Sequence, residues 1–205
     1  IQWSVPIVLG SPAQYSAFRP SRLAPMLDFL EVHFYPLAHG AYHYGGPEEE
    51  ARNLAYLEGV VREVSRFGKP VVLAEFGWYG GGKPRHVGRD AIDATEEQQA
   101  EWCRKVVETT ASPVVGWLNW GFYDHPEARD VTELIGLAKP DGTLKAWGRA
   151  FRELASRYER GVPARALPAD LPDLDWDACV TDGEARQRFR EAYGVALRQS
   201  RAGKQ

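Results

Sequence analysis

The sequence predicts an α/β protein built from four strand–helix units whose strands are parallel. Three observations carry this prediction. Short apolar runs recur along the first 160 residues, an amphipathic segment with helical spacing follows each run, and turn or capping residues separate the two. Strands of this kind are apolar on both faces because helices cover them.

Four runs are predicted to be the strands. They are Val5–Gly10, Phe29–Tyr35, Val71–Phe76 and Val114–Trp120, and we expect them to lie side by side and parallel in that order. Each unit takes about 39 residues, so eight units would need about 310, within the range of a (β/α)8 barrel. The chain therefore holds half of such a barrel or forms a small doubly wound domain. The pattern alone does not separate these two folds.

Capping and turn residues mark where the helices begin and end. Pro47 suits the first position of a helix that Gly68 ends. Thr95–Gln98 is a capping box for a helix that is predicted to end near Thr109. A turn at Asp141–Gly142 precedes the helix after the fourth strand. A helix is therefore predicted after each of the last three strands, and Ser21 is predicted to cap a short helical turn after the first strand, which Pro25 keeps short.

The composition changes after residue 160. The segment 161–172 contains three prolines and is predicted to be a strap or linker. We therefore assign residues 1–160 to the barrel-type unit and residues 161–205 to a C-terminal extension. Its helix is predicted from Thr181 to about residue 199 and is expected to pack on the barrel. The predicted apolar stripe of this helix is Ala185, Phe189, Ala192 and Ala196.

Composition also excludes several classes of partner. The net charge is −3, the pI is about 6.0 and no basic run is present, so nucleic acid is not expected. No apolar run approaches the roughly 18 residues of a membrane span, so no membrane partner is expected. Cys103 and Cys179 show no metal-ligand spacing, which leaves a buried thiol or a disulfide between barrel and tail. The chain has no initiator Met and no signal pattern, so we expect an excised chain. The cellular location is left open, and the full-length protein could be secreted.

The residues with chemical potential lie at the predicted strand ends, where parallel barrels build their sites. Glu31, His33 and Tyr35 share one face of the second strand by alternation. Glu75 ends the third strand, and Trp120 ends the fourth. We expect one concavity to be lined by four of these residues, namely His33, Tyr35, Glu75 and Trp120. The Tyr35 hydroxyl should lie within about 3.5 Å of the Glu75 carboxylate. Glu31 is expected to lie one layer deeper as a buried structural acid.

Each of these residues also has a structural interpretation. Alternation places Glu75 on the same face as Val71 and Leu73, where a carboxylate is costly to bury without a partner. It is therefore either part of a buried network or a working acid. His33 and Tyr35 could instead be core residues whose polar groups are hydrogen-bonded. Trp120 could instead be a core residue.

Four segments together resemble the C-terminal half of clan A glycoside hydrolases, nearest to the cellulase-like family 5 group. They are DFLEVHFYP, KPVVLAEFGWYG, VVGWLNWGFYD and GLAKPDGTLKAWGRAF, in that order. Each is weak alone, but their order and spacing are specific. The resemblance covers Val5 to Tyr158 and implies a (β/α)8 TIM barrel of which this chain supplies strands five to eight, followed by the C-terminal helical extension.

This resemblance implies a retaining β-glycoside hydrolase that acts on a β-linked glycan or glycoside, with no cofactor and no metal. Glu75 matches the family's nucleophile, and Tyr35 matches the tyrosine that donates a hydrogen bond to it. His33 matches the histidine that contacts the sugar beside the scissile bond. Trp120 matches the platform beneath that sugar. Trp78, in the loop after the third strand, is a candidate for a further subsite.

The chain departs from the family in one respect. The family's acid/base is the Glu of an Asn-Glu pair, and the 205 residues contain no such pair. Because retaining catalysis needs two carboxyls about 5–5.5 Å apart, we expect the isolated chain to be inactive or nearly so. The missing N-terminal half, or a second copy of the chain, is expected to complete the barrel. The alternative function is a non-catalytic carbohydrate-binding or structural relic of a barrel.

Overall fold

The computed structural model describes residues 4–7, 20–35, 46–86, 91–162, 168, 170–178, 182 and 184–202. They contain one four-stranded sheet, whose strands are β1 (Ser4–Ile7), β2 (Leu30–Phe34), β3 (Val71–Phe76) and β4 (Val114–Asn119). The strands follow one another across the sheet in the order β1-β2-β3-β4, and every neighbouring pair is parallel. The predicted strand order and direction are confirmed. The predicted end of the first strand, residues 8–10, lies outside the described residues.

Strand order separates the two folds that the sequence left open. A doubly wound sheet reverses its strand order at a switch point. Here each strand lies beside its neighbour in sequence throughout, which is the arrangement of a (β/α)8 barrel. The sheet therefore corresponds to four consecutive strands of a barrel.

Helices alternate with the strands along the chain. They are α1 (Pro20–Leu23), α2 (Pro47–Ser65), α3 (Glu96–Thr110), α4 (Ala146–Tyr158) and α5 (Ala185–Ala202), with 3₁₀ turns at Ala24–Met26 and Val131–Leu134. Pro47 is the first residue of α2, and Gly68 follows its end with a φ of +71°, a conformation that favours glycine. None of the helices in the described ranges is long and apolar enough to cross a membrane.

The predicted capping box at the start of α3 is confirmed. The Thr95 hydroxyl accepts a hydrogen bond from the Gln98 amide at 3.1 Å, and the Gln98 side chain accepts one from the Thr95 amide at 2.8 Å. Thr95→Ala should therefore lower the free energy of unfolding by about 1 kcal/mol, because a helix-end N–H loses its acceptor. Urea denaturation measures the loss. Thr95→Ser keeps the acceptor and is the control, and equal losses in both variants would contradict the assignment.

Helices cover one face of the sheet. Phe34 of β2 packs against Trp102 of α3, with ring centroids 6.4 Å apart. Phe76 of β3 packs against Trp147 of α4 at 6.0 Å. These aromatic side chains are almost fully buried, so the core lies between the sheet and its helices. The opposite face of the sheet, which would line the interior of a barrel, carries His33 and Glu75.

The C-terminal helix packs on α2, as expected. Its buried stripe is Ala185, Phe189, Tyr193 and Leu197. The predicted stripe was partly wrong, because Ala192 is exposed and Ala196 is half-buried. The larger side chains of Tyr193 and Leu197 take the inward positions, since they bury more apolar surface against α2. The predicted N-terminal residue of this helix, Thr181, lies outside the described residues.

Charged side chains reinforce this contact. Arg190 of α5 donates to Glu49 at 2.7 Å and to Asn53 at 2.9 Å, both on α2. The guanidinium of Arg62 lies 5.1 Å from the centre of the Tyr193 ring. The extension is therefore bound to the barrel unit by apolar and ionic contacts. The division of the chain at residue 160 stays a prediction.

Candidate active site

The pairing of β2 with β3 decides which side chains reach the open face of the sheet. Paired residues of parallel strands point to the same face. Val32 pairs with Leu73, and both are fully buried under the helices. His33 then pairs with Glu75 instead of Ala74, because the register shifts at this point. His33 and Glu75 therefore share the open face.

This register shift corrects one sequence prediction. Strict alternation placed Glu75 on the face of Val71 and Leu73, yet those two residues lie on the helix-covered face. Ala74 is the extra residue of a local irregularity, which moves Glu75 to the open face and returns Phe76 to the core. Irregularities of this kind re-aim side chains and are frequent next to active sites.

Three of the predicted site residues are in contact. The Tyr35 hydroxyl donates a hydrogen bond to Glu75 Oε2 at 3.2 Å, which confirms the predicted contact. His33 Nδ1 lies 3.3 Å from the same oxygen. The Glu75 side chain is 28% exposed, so it is held by two neighbours and still reaches solvent. The arrangement can present an oriented carboxylate to a ligand above the strand ends.

Glu31 lies on the other side of His33. Its Oε2 is 3.8 Å from His33 Nε2, and the residue is 6% exposed. The predicted burial of this carboxylate is confirmed. The imidazole of His33 is therefore placed between two carboxylates, one buried and one at the surface, and this limits the rotation of its ring.

Trp120 directly follows β4. Its amide donates to the Phe76 carbonyl at 2.8 Å, which ties it to the end of β3. Trp117 and Asn119 bond to the covering helices, so alternation turns Trp120 to the open face. The side chain of Trp120 is 45% exposed. Within this chain Trp120 is therefore not a core residue, and its role as a sugar platform stays a prediction.

Trp78 does not lie on this surface. It is fully buried and packs against Tyr79, with ring centroids 5.4 Å apart. The prediction that Trp78 lines a subsite was wrong in this structure, because a side chain without accessible surface cannot contact a ligand. Its backbone is tied to α3, because Nε2 of the Gln99 side chain donates to the Trp78 carbonyl at 2.8 Å.

Solved structures with a similar fold are glycoside hydrolases. One is the GH5_18 protein of Streptomyces cattleya in complex with GlcNAc, with a TM-score of 0.59 and 21% identity. The similarity covers 88% of this chain and 45% of that protein. Another is a GH5_18 variant from Bifidobacterium longum subsp. longum in complex with Manβ1-4GlcNAc, with a TM-score of 0.55 and 22% identity over 85% of this chain and 44% of that one.

The chain has the fold of about half of a (β/α)8 barrel, similar to the barrels of these two proteins. It spans less than half the length of the two GH5_18 proteins. No protein-family model matches the sequence, and no curated protein does. Fold similarity at low sequence identity thus supports the half-barrel predicted from the motifs, while the numbering of its strands as five to eight stays a prediction.

Asn119, which was not among the predicted site residues, anchors the segment that carries Trp120. Its Oδ1 accepts a hydrogen bond from Trp147 Nε1 at 2.8 Å. Its Nδ2 donates to the carbonyls of Trp120 at 3.2 Å, Gly121 at 2.9 Å and Ile135 at 3.3 Å. The signal in the sequence was a lone side-chain amide on the helix-covered face of β4, where a polar side chain needs partners.

A buried ion pair in the loop after β4 was also not predicted from the sequence. Lys145 Nζ lies 2.9 Å from Asp124 Oδ1 and donates to the Leu134 carbonyl at 2.8 Å. The same Asp124 oxygen accepts the Gly136 amide at 2.8 Å. Burial raises the pKa of Asp124 and lowers that of Lys145, while the attraction within the pair opposes both shifts. Asp124 is therefore a structural residue that fixes the loop after β4.

Two other sequence predictions concern metals and cysteines. Within the described ranges, no cluster of three or more His, Cys, Asp or Glu side chains is arranged to hold a metal ion. Cys103 is fully buried in α3, and burial raises the pKa of its thiol well above the usual range. The other cysteine, Cys179, lies outside the described residues.

Proposed function

We propose that the chain carries the nucleophilic half of the active site of a retaining β-glycoside hydrolase, with Glu75 as the nucleophile. The contact of the Tyr35 hydroxyl with Glu75 at 3.2 Å is the observation that carries this proposal. A carboxylate at the C-terminal end of a barrel strand, held by a neutral donor and open to solvent, suits attack on a bound substrate. Tyr35 and His33 both contact Oε2. We therefore assign the attack to Oε1.

The reaction has two steps. Glu75 attacks the anomeric carbon while a general acid protonates the leaving-group oxygen, and the glycosidic bond breaks to give a covalent glycosyl-enzyme. Water then attacks the same carbon, assisted by the same acid/base residue in its basic form, and Glu75 is released. Two inversions leave the configuration of the sugar unchanged.

The general acid belongs, in this proposal, to another part of the barrel. The resemblance assigns it to an Asn-Glu pair, which the 205 residues lack. The open face of β2 and β3 offers Glu31 as another carboxylate, but Glu31 is buried behind His33. Because the two carboxyls of a retaining enzyme lie about 5–5.5 Å apart across the substrate, we assign the acid to a strand that faces Glu75.

The sugar is held, we propose, by Trp120 and His33. Trp120 is nearly half exposed at the end of β4, so its indole can pack against the C–H face of a pyranose ring. His33 contributes a polar group next to Glu75. The GH5_18 proteins with this fold were crystallised with Manβ1-4GlcNAc and with GlcNAc. β-Mannosides and β-N-acetylglucosaminides are therefore the first probes.

Covalent trapping tests the proposal. A 2-deoxy-2-fluoro-β-mannoside or glucoside with a dinitrophenyl leaving group needs no general acid for the first step, and its second step is slow. We expect the barrel that contains this chain to acquire one sugar adduct, which peptide mass spectrometry locates at Glu75. An adduct on Glu31, or none while the sugar still binds, would contradict the proposal, and the latter result would favour a non-catalytic binding protein.

Tyr35→Phe should reduce turnover without removing it. Loss of a hydrogen bond to a charged group costs about 1.5–3 kcal/mol, so kcat should fall by roughly 10–100-fold. The substitution leaves the ring in place, so KM should change little. Tyr158→Phe, which alters a half-buried ring beside Trp117 on the helix side, is the matched control. Equal kcat values for the Tyr35 variant and the control would show that Tyr35 does not position the nucleophile.

A further inference from the structure

Three large aromatic side chains stand exposed just after β4. They are Trp120, 45% exposed, Phe122, 60% exposed, and Tyr123, 52% exposed, and we call them the aromatic shelf. The rings of Phe122 and Tyr123 are in edge-to-face contact, with centroids 4.9 Å apart. Adjacent exposed aromatic residues are uncommon on a protein surface unless they bind something.

The shelf is separate from the edge along which the sheet would continue. Val115 and Leu118 are exposed within β4, at 67% and 57%, and they belong to the strand that would meet a neighbouring strand. Phe122 and Tyr123 follow the last strand residue, Asn119. They are thus at the C-terminal end of the sheet, where Glu75 also lies, and only Gly121 separates them from Trp120 in the chain.

The backbone beneath the shelf is fixed. The Phe122 carbonyl accepts hydrogen bonds from the amides of Leu137 and Ala138, both at 2.9 Å, and the Asp124 amide donates to the Ala138 carbonyl at 2.8 Å. The Asp124 side chain is buried against Lys145. A surface on such a backbone loses little conformational entropy when it binds a ligand. Rigid exposed aromatics of this kind suit a ligand with flat apolar faces and polar edges.

We propose that Phe122 and Tyr123 form a second sugar subsite, which takes the ring next to the one at Trp120 in a β-linked oligosaccharide. This inference rests on the proposed function for the class of ligand, and it does not require turnover. A pyranose presents C–H groups on its faces and hydroxyls at its rim, so it matches ring faces flanked by the Tyr123 hydroxyl. Such a subsite would make binding depend on the number of sugar rings.

Calorimetric titration of the 205-residue chain tests this. The probes are mannose, glucose and N-acetylglucosamine, Manβ1-4GlcNAc, and β-1,4-linked manno- and cello-oligosaccharides of two to four rings. At least one oligosaccharide should bind about tenfold more tightly than its monosaccharide. The double variant Phe122→Ala, Tyr123→Ala should lose this gain and keep the affinity for the monosaccharide. Both residues are more than half exposed, so the thermal midpoint of unfolding should be unchanged.

The matched control is the double variant Met26→Ala, Val195→Ala, which removes exposed apolar side chains outside the sheet, from the 3₁₀ turn before β2 and from α5. It should retain the gain from the second ring. If no oligosaccharide binds more tightly than its monosaccharide, or if both double variants behave alike, the subsite is refuted. If Glu75 is not labelled but the affinity gain still depends on the shelf, the proposed reaction alone is rejected. If Glu75 is labelled but there is no shelf-dependent affinity gain, the subsite alone is rejected.

Discussion

Replacing Glu75 by glutamine in the completed barrel is expected to lower the turnover rate by several orders of magnitude. A neutral amide cannot form the glycosyl ester, so the double displacement stops at its first step. Glutamine has nearly the shape of glutamate and can still accept a hydrogen bond from Tyr35, which lies 3.2 Å from Oε2. The loss should therefore appear in kcat, with binding of the sugar and the thermal midpoint little changed.

The assay compares a dinitrophenyl glycoside with an unactivated oligosaccharide. The wild-type 205-residue chain alone should be inert toward the oligosaccharide and show at most a trace of activity toward the activated glycoside. Addition of the other half should raise turnover of the oligosaccharide most, because a general acid contributes about 10²–10⁴-fold where the leaving group is poor.

Glu31→Gln is the matched control for this experiment. Glu31 is also a carboxylate on the open face, but it is buried behind His33 and 3.8 Å from its Nε2. Its replacement should lower turnover far less than Glu75→Gln does. Near-normal rates for the Glu75→Gln enzyme on both substrates, or equal losses in the two variants, would show that the nucleophile is another residue.

The parts of the fold that were predicted correctly are those that short-range patterns determine. Apolar runs such as Val71–Phe76 indicated strands, and the capping box at Thr95–Gln98 indicated the start of α3, because both signals involve neighbouring residues. The contact of Tyr35 with Glu75 was predictable once β2 and β3 were taken as adjacent parallel strands, since such strands end at the same edge of a sheet.

The features that were not predicted depend on residues distant in sequence. The extra residue Ala74 is visible only in the register between β2 and β3, so alternation placed Glu75 on the wrong face. Trp78 is fully buried against Tyr79, with its carbonyl bound by Gln99 of α3, and its position in a glycine-rich loop gave no sign of this. Asn119 owes its role to partners after β4 and on α4, which no local pattern identifies.

Lys145→Met is expected to cause the largest loss of stability of any single substitution considered. It removes the partner of Asp124 and leaves a carboxylate that is 8% exposed without its cation. Breaking a buried ion pair on one side costs about 3–5 kcal/mol, because the remaining charge stays desolvated. The double variant Asp124→Asn, Lys145→Met should recover much of this loss, since the introduced side-chain amide carries no charge and its oxygen can still accept the Gly136 N–H.

The effect of pH gives a second, independent test of the same pair. Burial raises the pKa of Asp124, and in the Lys145→Met protein the cation that opposes this shift is gone. An acid whose pKa is raised in the folded state contributes stability that is present below its unfolded-state pKa of about 3.9 and is lost as the pH rises through the folded-state value. The loss of unfolding free energy in Lys145→Met, relative to wild type, should therefore be smaller at about pH 4 than at about pH 7. Urea denaturation at both pH values measures it, and a deficit that is independent of pH would mean that the loss arises from packing of the lysine side chain and not from the unpaired carboxylate.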